Sequence, residues 1–109
     1  MSIDWLAGLL EGEGYFVIKS FLKGDKTYRY ANVGVQMTDL DVLEKVHDFT
    51  GVGHVRPVKN GEGHLGIKQV YQWYVSKHQD ALDLMKTVRP LMGERRGERI
   101  DAILREMEG

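Results

Sequence analysis

The nine-residue stretch LAGLLEGEG at positions 6–14 constrains the fold more than any other part of the sequence. Apolar residues recur at helical spacing into this stretch and predict a helix: Ile3, Leu6, Leu9 and Leu10. Ser2 is a suitable N-cap, and the helix is expected to end near Gly12. A glycine inside a short helix costs about 1 kcal/mol relative to alanine. Gly8 and Gly12 therefore indicate that another helix backbone packs closely against this one.

The end of this helix presents a carboxylate in a glycine-rich turn. Glu13 lies between Gly12 and Gly14, where the chain leaves the helix. Carboxylate and carbonyl oxygens are the ligands that hard divalent cations such as Mg²⁺ prefer. The pattern is therefore one way to hold carboxylate oxygens for such a cation at the helix end. The alternative is that Glu13 only caps the turn.

Beyond this stretch, the patterns predict seven further elements in a chain of 109 residues, a length that fits a single domain at residues 1–109. The predicted helices and strands lie at residues 3–12, 15–22, 27–37, 38–50, 52–58, 68–76, 77–88 and 94–107, with a turn-rich loop at 59–63. Their order, αββαββαα, predicts an α+β fold in which helices cover one face of a four-stranded antiparallel sheet. The other face of the sheet is expected to be free.

Alternation along the predicted strands separates an apolar face from a polar and aromatic face. Ala31, Val33 and Val35 are alternate apolar residues and are predicted to face the core. The opposite face carries side chains suited to nucleic acid: Lys19, Tyr28, Tyr30, Asn32, Gln36, Arg56, Lys68 and Gln72. A two-stranded ribbon fits the major groove of DNA, where lysine and arginine suit guanine while asparagine and glutamine suit adenine. Which of these residues would contact bases and which phosphates is left open.

Positive charge is confined to two segments, although the formal net charge of the chain is −1. Residues 15–38 contain four lysine or arginine residues against one aspartate, and residues 52–77 contain four against one glutamate, so each segment carries +3. The rest of the chain carries −7. Because both basic segments supply the free sheet face, the distribution favours an anionic partner such as nucleic acid. Solvated lysines without a partner are the alternative.

Composition excludes several other classes of protein. The chain has no cysteine, which excludes disulfide frameworks and thiolate metal sites. Its four histidines lack the spacing of a zinc site. No apolar run approaches the roughly 20 residues of a membrane span, and no targeting signal is seen. An intracellular protein, cytoplasmic or organellar, with no membrane partner is therefore expected.

The stretch at residues 6–14 resembles the signature of the LAGLIDADG homing endonucleases. Five residues match that signature outright: Leu6, Ala7, Gly8, Leu9 and Gly14. The other four fit by type, with an aliphatic residue, two acids and a small residue at Leu10, Glu11, Glu13 and Gly12. The resemblance continues through residues 35–38 and 51–56 to the final helices, so it covers nearly the whole chain. The order αββαββαα is also that of the family's core domain.

In that family, chains with one copy of the motif form homodimers in which the motif helices pack against each other. This chain has a single copy. The resemblance therefore implies a homodimer whose interface includes Ala7, Gly8, Glu11 and Gly12. Glu11, the first acid of the motif, is expected to have a structural role near the helix end.

The resemblance also implies an active site. Glu13 matches the acid that binds the catalytic divalent cation, Mg²⁺ or another such as Mn²⁺, and the Gly12 carbonyl is a further ligand. Arg95 aligns with a basic residue that supports the active site electrostatically, and Arg96 takes this place if the alignment is shifted by one. Asp39 aligns with a polar residue that positions solvent. The alternative role for Asp39 is that of an acid stabilised by the helix N-terminus.

The implied function is that of a homodimeric, site-specific, metal-dependent DNA endonuclease. It would cut a long pseudo-palindromic duplex and leave short 3′ overhangs, and genes of the family usually lie in introns, inteins or phage genomes. One alternative is a nucleic-acid-binding protein on the same fold that does not cleave, either an intron-splicing cofactor or a DNA-binding regulator. Another is a structural domain whose free sheet face packs on a protein. Nucleic-acid binding would weaken steeply with salt, which distinguishes it from the last alternative.

Overall fold

A computed structural model describes residues 1–58 and 68–108 of the chain. Its elements are α1 (Ile3–Glu13), β1 (Gly14–Lys23), β2 (Lys26–Met37), α2 (Leu40–Thr50), β3 (His54–Pro57), β4 (Tyr71–Val75), α3 (His78–Val88), a 3₁₀ turn (Arg89–Leu91) and α4 (Glu94–Glu108). This order confirms the predicted αββαββαα arrangement. The predicted loop at residues 59–63 lies outside the described residues.

The first helix runs directly into the sheet. The Ser2 hydroxyl caps it by accepting a hydrogen bond from the backbone N–H of Trp5 at 3.2 Å. The helix ends at Glu13, one residue later than predicted, where the N–H of Gly14 donates to the carbonyl of Leu10. Gly14 is extended and is already the first residue of β1. Glu13 therefore lies at a junction with no loop between helix and strand.

The four strands form one antiparallel sheet in the order β1-β2-β4-β3. The β1–β2 hairpin is paired from Gly14↔Val35 to Lys23↔Lys26. Of the residues of β2, only 33–37 pair with β4, which pairs on its other side with β3. Among the described strands, the distal part of the hairpin therefore extends past the sheet as a two-stranded ribbon.

The helices pack on one face of this sheet, as predicted. Ala31, Val33 and Val35 are fully buried on that face, which confirms the apolar face assigned from alternation. Trp73 of β4 is also buried there, and its indole N–H donates to the carbonyl of Val52 at 3.1 Å. The apolar sides of the helices complete the core with Leu6, Leu10, Leu43, Val46, Leu82, Met85, Ile100 and Ile103.

Two boundaries differ from the prediction. α2 begins at Leu40 instead of Thr38, because Asp39 is non-helical and serves as the N-cap, its carbonyl accepting from the N–H of Val42 at 3.1 Å. β3 and β4 are shorter than the predicted strands at 52–58 and 68–76. β3 ends at Pro57, although the N–H of Val58 still donates to the carbonyl of Val70 at 2.8 Å. None of the helices in the described residues is long and apolar enough to cross a membrane.

Candidate functional site

The end of α1 carries a carboxylate with no partner in its own chain. Glu13 is exposed at the last position of the helix. Within residues 1–58 and 68–108, its side chain makes neither a hydrogen bond nor an ion pair. The last carbonyls of a helix lack intrahelical N–H partners, and Gly12 lies in this last turn. Oxygen ligands are therefore available at the α1 terminus.

Glu11, two residues earlier, is held by the segment that begins α4. One of its carboxylate oxygens accepts a hydrogen bond from the backbone N–H of Gly93. The other lies 2.9 Å from Nε of Arg96. The two acids of the motif therefore differ in their contacts. The carboxylate of Glu11 is bound by Gly93 and Arg96, whereas that of Glu13 has no partner among the described residues.

Arginines of α4 bind the open edge of β1. Arg96 donates to the carbonyls of Glu11 and Gly14, and its side chain is largely buried. Arg99 donates from Nε to the carbonyl of Phe16 at 3.1 Å. These bonds satisfy backbone acceptors of β1, which is an edge strand among the described strands of the sheet. Arg99 was not among the residues predicted from the sequence, although its position one helical turn after Arg96 places it on the same side of α4.

Arg95 lines the same cavity as Arg96 but does not share its contacts with the backbone. It is exposed and lines an open cavity beside the start of β1, together with Gly14 and Arg99. Its guanidinium makes no hydrogen bond or ion pair to any described residue. A cation without a partner in the described residues thus lines the cavity beside Gly14, the residue that follows Glu13 in the chain.

Asp39 lies at the start of α2, on a different element from Glu13. Its side chain is exposed and makes no capping hydrogen bond. No hydrogen bond or ion pair joins it to Glu13 or Arg95 in the described part of the chain. Asp39 is therefore available to solvent, as an acid at a helix N-terminus.

The free face of the sheet is basic and aromatic. The pairing register places Lys19, Tyr28, Tyr30, Asn32, Gln36, Arg56 and Gln72 on this face, and Lys68 lies outside the described strands. The same register adds Tyr15, Val17, Phe21, Lys23, Lys26, Gly34, His54 and Tyr74. No aspartate or glutamate belongs to this face in the described strands. Within the described strands, the side chains of this face are therefore basic, aromatic or neutral.

A hydrogen-bonded chain crosses this face from β1 to β3. The amide of Gln72 donates to the Tyr15 hydroxyl at 2.7 Å, and its carbonyl oxygen accepts from Nε of Arg56 at 3.1 Å. The Arg56 guanidinium also lies over the Tyr74 ring, 4.6 Å from its centroid. Burial raises the pKa of the Tyr15 phenol above its ordinary value, so the phenol stays protonated at neutral pH.

These hydrogen bonds change the DNA-binding roles that the sequence predicted for residues on this face. Gln72 is only 5% exposed and uses both ends of its amide inside the protein, so it orients Arg56 instead of presenting a group to a ligand. Asn32 is also buried, and its Oδ1 has no hydrogen-bond partner in the described residues. Tyr15 and Tyr74 were missed, although strand alternation places both on the same face as the predicted residues.

An uncovered stripe runs along α1 on the side away from the core. Trp5 is 46% exposed, and Gly8 and Gly12 are exposed. A Cβ added to either glycine would meet no atom within 4 Å. Of the other residues predicted for an interface, Glu11 is half-buried and Ala7 is buried in the core of its own chain.

Three solved structures share this architecture. The homing endonuclease I-CvuI, in complex with a DNA target that is not cleaved in the presence of Mg, is similar over 94% of this chain and 63% of its own, with a TM-score of 0.75 and 18% identity. The homing endonuclease I-TnaI is similar over 99% of this chain and 74% of its own, with a TM-score of 0.70 and 19% identity. The LAGLIDADG meganuclease I-AabMI, bound to uncleaved DNA, is similar over 93% of this chain and 34% of its own, with a TM-score of 0.68 and 19% identity.

No family model and no curated protein matches the chain. The chain also spans less than two thirds of the I-CvuI chain, since the match covers 63% of it. At these identities the likeness is one of fold. The chain has the fold of the LAGLIDADG homing endonucleases, the family whose signature its first helix resembles.

Proposed function

We propose that this protein is a homodimeric, metal-dependent DNA endonuclease that cuts a long pseudo-palindromic site. The observation that carries the proposal is the carboxylate of Glu13 at the end of α1, which has no partner among the described residues and lies on the same helix as a stripe that no described residue covers. The fold likeness to endonucleases solved with DNA supports it. The neighbouring acid, Glu11, is engaged inside the chain and is assigned a structural role.

The α1 stripe supports the dimer. Gly8 and Gly12 each weaken an 11-residue helix. No neighbour within the described chain lies so close that these positions have to lack a side chain. A second α1 helix packed on the stripe explains both glycines, since a small residue every four positions lets two backbones approach closely. The exposed Trp5 is then buried in the same contact. Ala7 supports the interface from beneath, because it packs the helix onto its own core.

The ligands at the helix end fit half of a metal site. No group of three or more His, Asp or Glu side chains that could hold a metal is found in the described residues. Mg²⁺ takes six oxygen ligands, but commonly only one or two of them are carboxylates, the rest coming from phosphates and water. Glu13 and the Gly12 carbonyl from each of two subunits, with a phosphate of the DNA, supply such a set. Mn²⁺ accepts the same ligands.

The free sheet face is the proposed DNA surface. The β1–β2 ribbon has the width that the major groove admits, and its lysines neutralise phosphates. Arg56 is the residue assigned to guanine, because Gln72 and Tyr74 hold its guanidinium in one orientation. Lys19, Tyr28, Tyr30, Gln36 and Lys68 complete the contact surface. Two such faces related by a two-fold axis define a long, pseudo-palindromic site.

Cleavage is proposed to occur where the two α1 helices end. A divalent cation held there by Glu13 would supply the activation of water and the stabilisation of the leaving oxygen of the phosphodiester. Glu13 holds the cation in place, and Arg95 offsets the negative charge that develops on the phosphate. Asp39 orients solvent at the edge of the site. Each subunit contributes to cutting one strand, which leaves short 3′ overhangs, as expected of an enzyme encoded within an intron, intein or phage genome.

The test is cleavage of a randomised, palindrome-biased duplex library with Mg²⁺ or Mn²⁺, followed by sequencing of the cut ends. The natural protein is expected to return a two-fold-symmetric consensus. Glu13→Gln should abolish cutting while leaving duplex affinity within about twofold, since the basic residues of the sheet face, which supply most of the phosphate contacts, are unchanged. Glu44→Gln, an exposed acid on α2, is the matched control and should cut normally.

Recovery of bound but uncut duplex from the natural protein would replace the endonuclease with a non-cleaving binder on the same fold. Loss of duplex binding in Glu13→Gln would instead assign Glu13 to the fold or the dimer. In either case the catalytic role proposed for Glu13 would be overturned.

A further inference from the structure

Three aromatic rings form a ridge near the tip of the β1–β2 hairpin, which we call the aromatic ridge: Phe21, Tyr28 and Tyr30. Phe21 and Tyr28 are paired across the two strands, and their rings are stacked with centroids 5.3 Å apart. Phe21 also contacts Tyr30 at 6.0 Å between centroids. The register places all three on the free face of the sheet.

The aromatic ridge is packed within itself but not covered. Phe21 is 49% exposed and Tyr28 is 43% exposed. β4 stops short of this part of the hairpin, so no further described strand flanks it. Neighbouring exposed aromatic side chains form an apolar patch, and such patches rimmed by polar residues are typical of binding surfaces.

Cations flank the aromatic ridge on both sides. Lys19 is paired with Tyr30, and Lys23 is paired with Lys26 beyond Phe21. The partner that this arrangement fits is anionic at its rims and apolar at its centre. The major groove of duplex DNA has this character, since phosphates line its rims and the 5-methyl group of thymine is the apolar group on its base edges.

We infer that the aromatic ridge reads thymine methyl groups in the outer parts of each half-site. This inference rests on the proposed function, because it assumes that the free sheet face binds duplex DNA. Phe21 is eight residues beyond Glu13 along an extended strand, which is about 26 Å. At about 3.4 Å per base pair, the methyl groups lie about six to eight base pairs from the two-fold axis of the site. Phenylalanine offers no hydrogen bond, so recognition by Phe21 is by apolar contact alone.

The test compares two randomised duplex libraries, one synthesised with thymine and one with uracil, which lacks only the methyl group. From the thymine library, the protein is expected to select thymine about six to eight base pairs from the dyad. Replacing these thymines by uracil in the selected duplex should weaken binding about fourfold per base, which is about 0.8 kcal/mol for one methyl group. 5-Methylcytosine at the same positions should bind more tightly than cytosine.

The hairpin supplies a matched pair of variants. Phe21→Ala should remove the preference for thymine over uracil, whereas Leu22→Ala, next to it on the opposite face and 74% exposed, should retain it. Equal binding of the two libraries, or discrimination that persists in Phe21→Ala, would overturn the inference while leaving DNA binding intact. Failure to bind either duplex would overturn the proposed function itself.

Discussion

Gly34 of β2 lies directly beneath the Tyr15 ring, and this contact makes a quantitative prediction. A Cβ at Gly34 would be 2.3 Å from the Tyr15 hydroxyl oxygen and 2.5 Å from the adjacent ring carbon. The φ angle of Gly34 is not positive, so backbone conformation does not require glycine there. The requirement is space for the ring, which crosses Gly34 to reach Gln72. Gly34→Ala therefore has to move the ring and break its hydrogen bond with Gln72.

The expected cost follows from these contacts. Forcing an extra methyl into a packed site destabilises a protein by about 1–3 kcal/mol. Loss of the bond between Gln72 and Tyr15 adds about 1 kcal/mol, because a buried amide then lacks its partner. Alanine is favoured over glycine inside a strand by about 0.5–1 kcal/mol, which offsets part of the cost. The net loss in free energy of unfolding should be about 1–3 kcal/mol.

A double-mutant cycle isolates the contact. Urea unfolding is measured for the natural protein, Gly34→Ala, Tyr15→Ser and the double variant at one protein concentration. With the ring removed, Gly34→Ala should be neutral or stabilising by up to about 1 kcal/mol. The same destabilisation by Gly34→Ala in both backgrounds would refute the reasoning, because the cost would then not come from Tyr15.

Two further predictions concern the dimer and the packing of α4. Gly8→Leu should yield a monomer in analytical ultracentrifugation, because the side chain separates the two α1 stripes, while Glu44→Leu on α2 stays dimeric; a dimeric Gly8→Leu would exclude this interface. Arg89 donates two hydrogen bonds to Asp101, at 2.8 and 2.9 Å, and holds the pKa of that carboxyl below its ordinary value. Because the folded-state pKa is the lower one, the pair's stabilisation is complete above about pH 4 and is lost as the pH falls through the folded-state pKa. The difference in urea midpoint between the natural protein and Asp101→Asn should therefore vanish in strong acid, and a difference independent of pH would contradict this.

The fold was predictable because the spacing of apolar residues along the chain indicates which segments are helices and which are strands. Alternate apolar residues in β2 fixed which face of the sheet is buried, and the helical spacing in α1 did the same for the first helix. The N-cap of α1 followed from Ser2. The start of α2 was misplaced because Thr38 and Asp39 are both suitable caps, and only the tertiary path of the chain distinguishes them.

The contacts around the candidate site were less accessible to sequence reasoning. Arg96 reaches Gly14 across 82 positions, and no local pattern reports a bond of that separation. Gln72 was assigned to DNA because it is polar and on the correct face. It is buried because Tyr15 crosses a glycine to meet it, a packing detail that depends on the pairing of three strands. The alternation of side chains along a strand predicts the face of the sheet on which a residue lies, but not how exposed that residue is.

The difference between the two acids of α1 explains why one chain is insufficient for the proposed chemistry. At a helix C-terminus, exposed carbonyls and a carboxylate both carry negative charge, and Glu11 would add to it. Arg96 offsets that charge by binding the Glu11 carboxylate and two backbone carbonyls, so that Glu13 is the remaining free acid at this end of α1 in the described chain. One carboxylate binds a hydrated divalent cation weakly, since affinity grows with the number of charged ligands. On the proposed function, occupancy of the cation site then depends on bringing a second Glu13 and a DNA phosphate to the same point. Cleavage would therefore be confined to the dimer on its target, which protects other DNA from the enzyme.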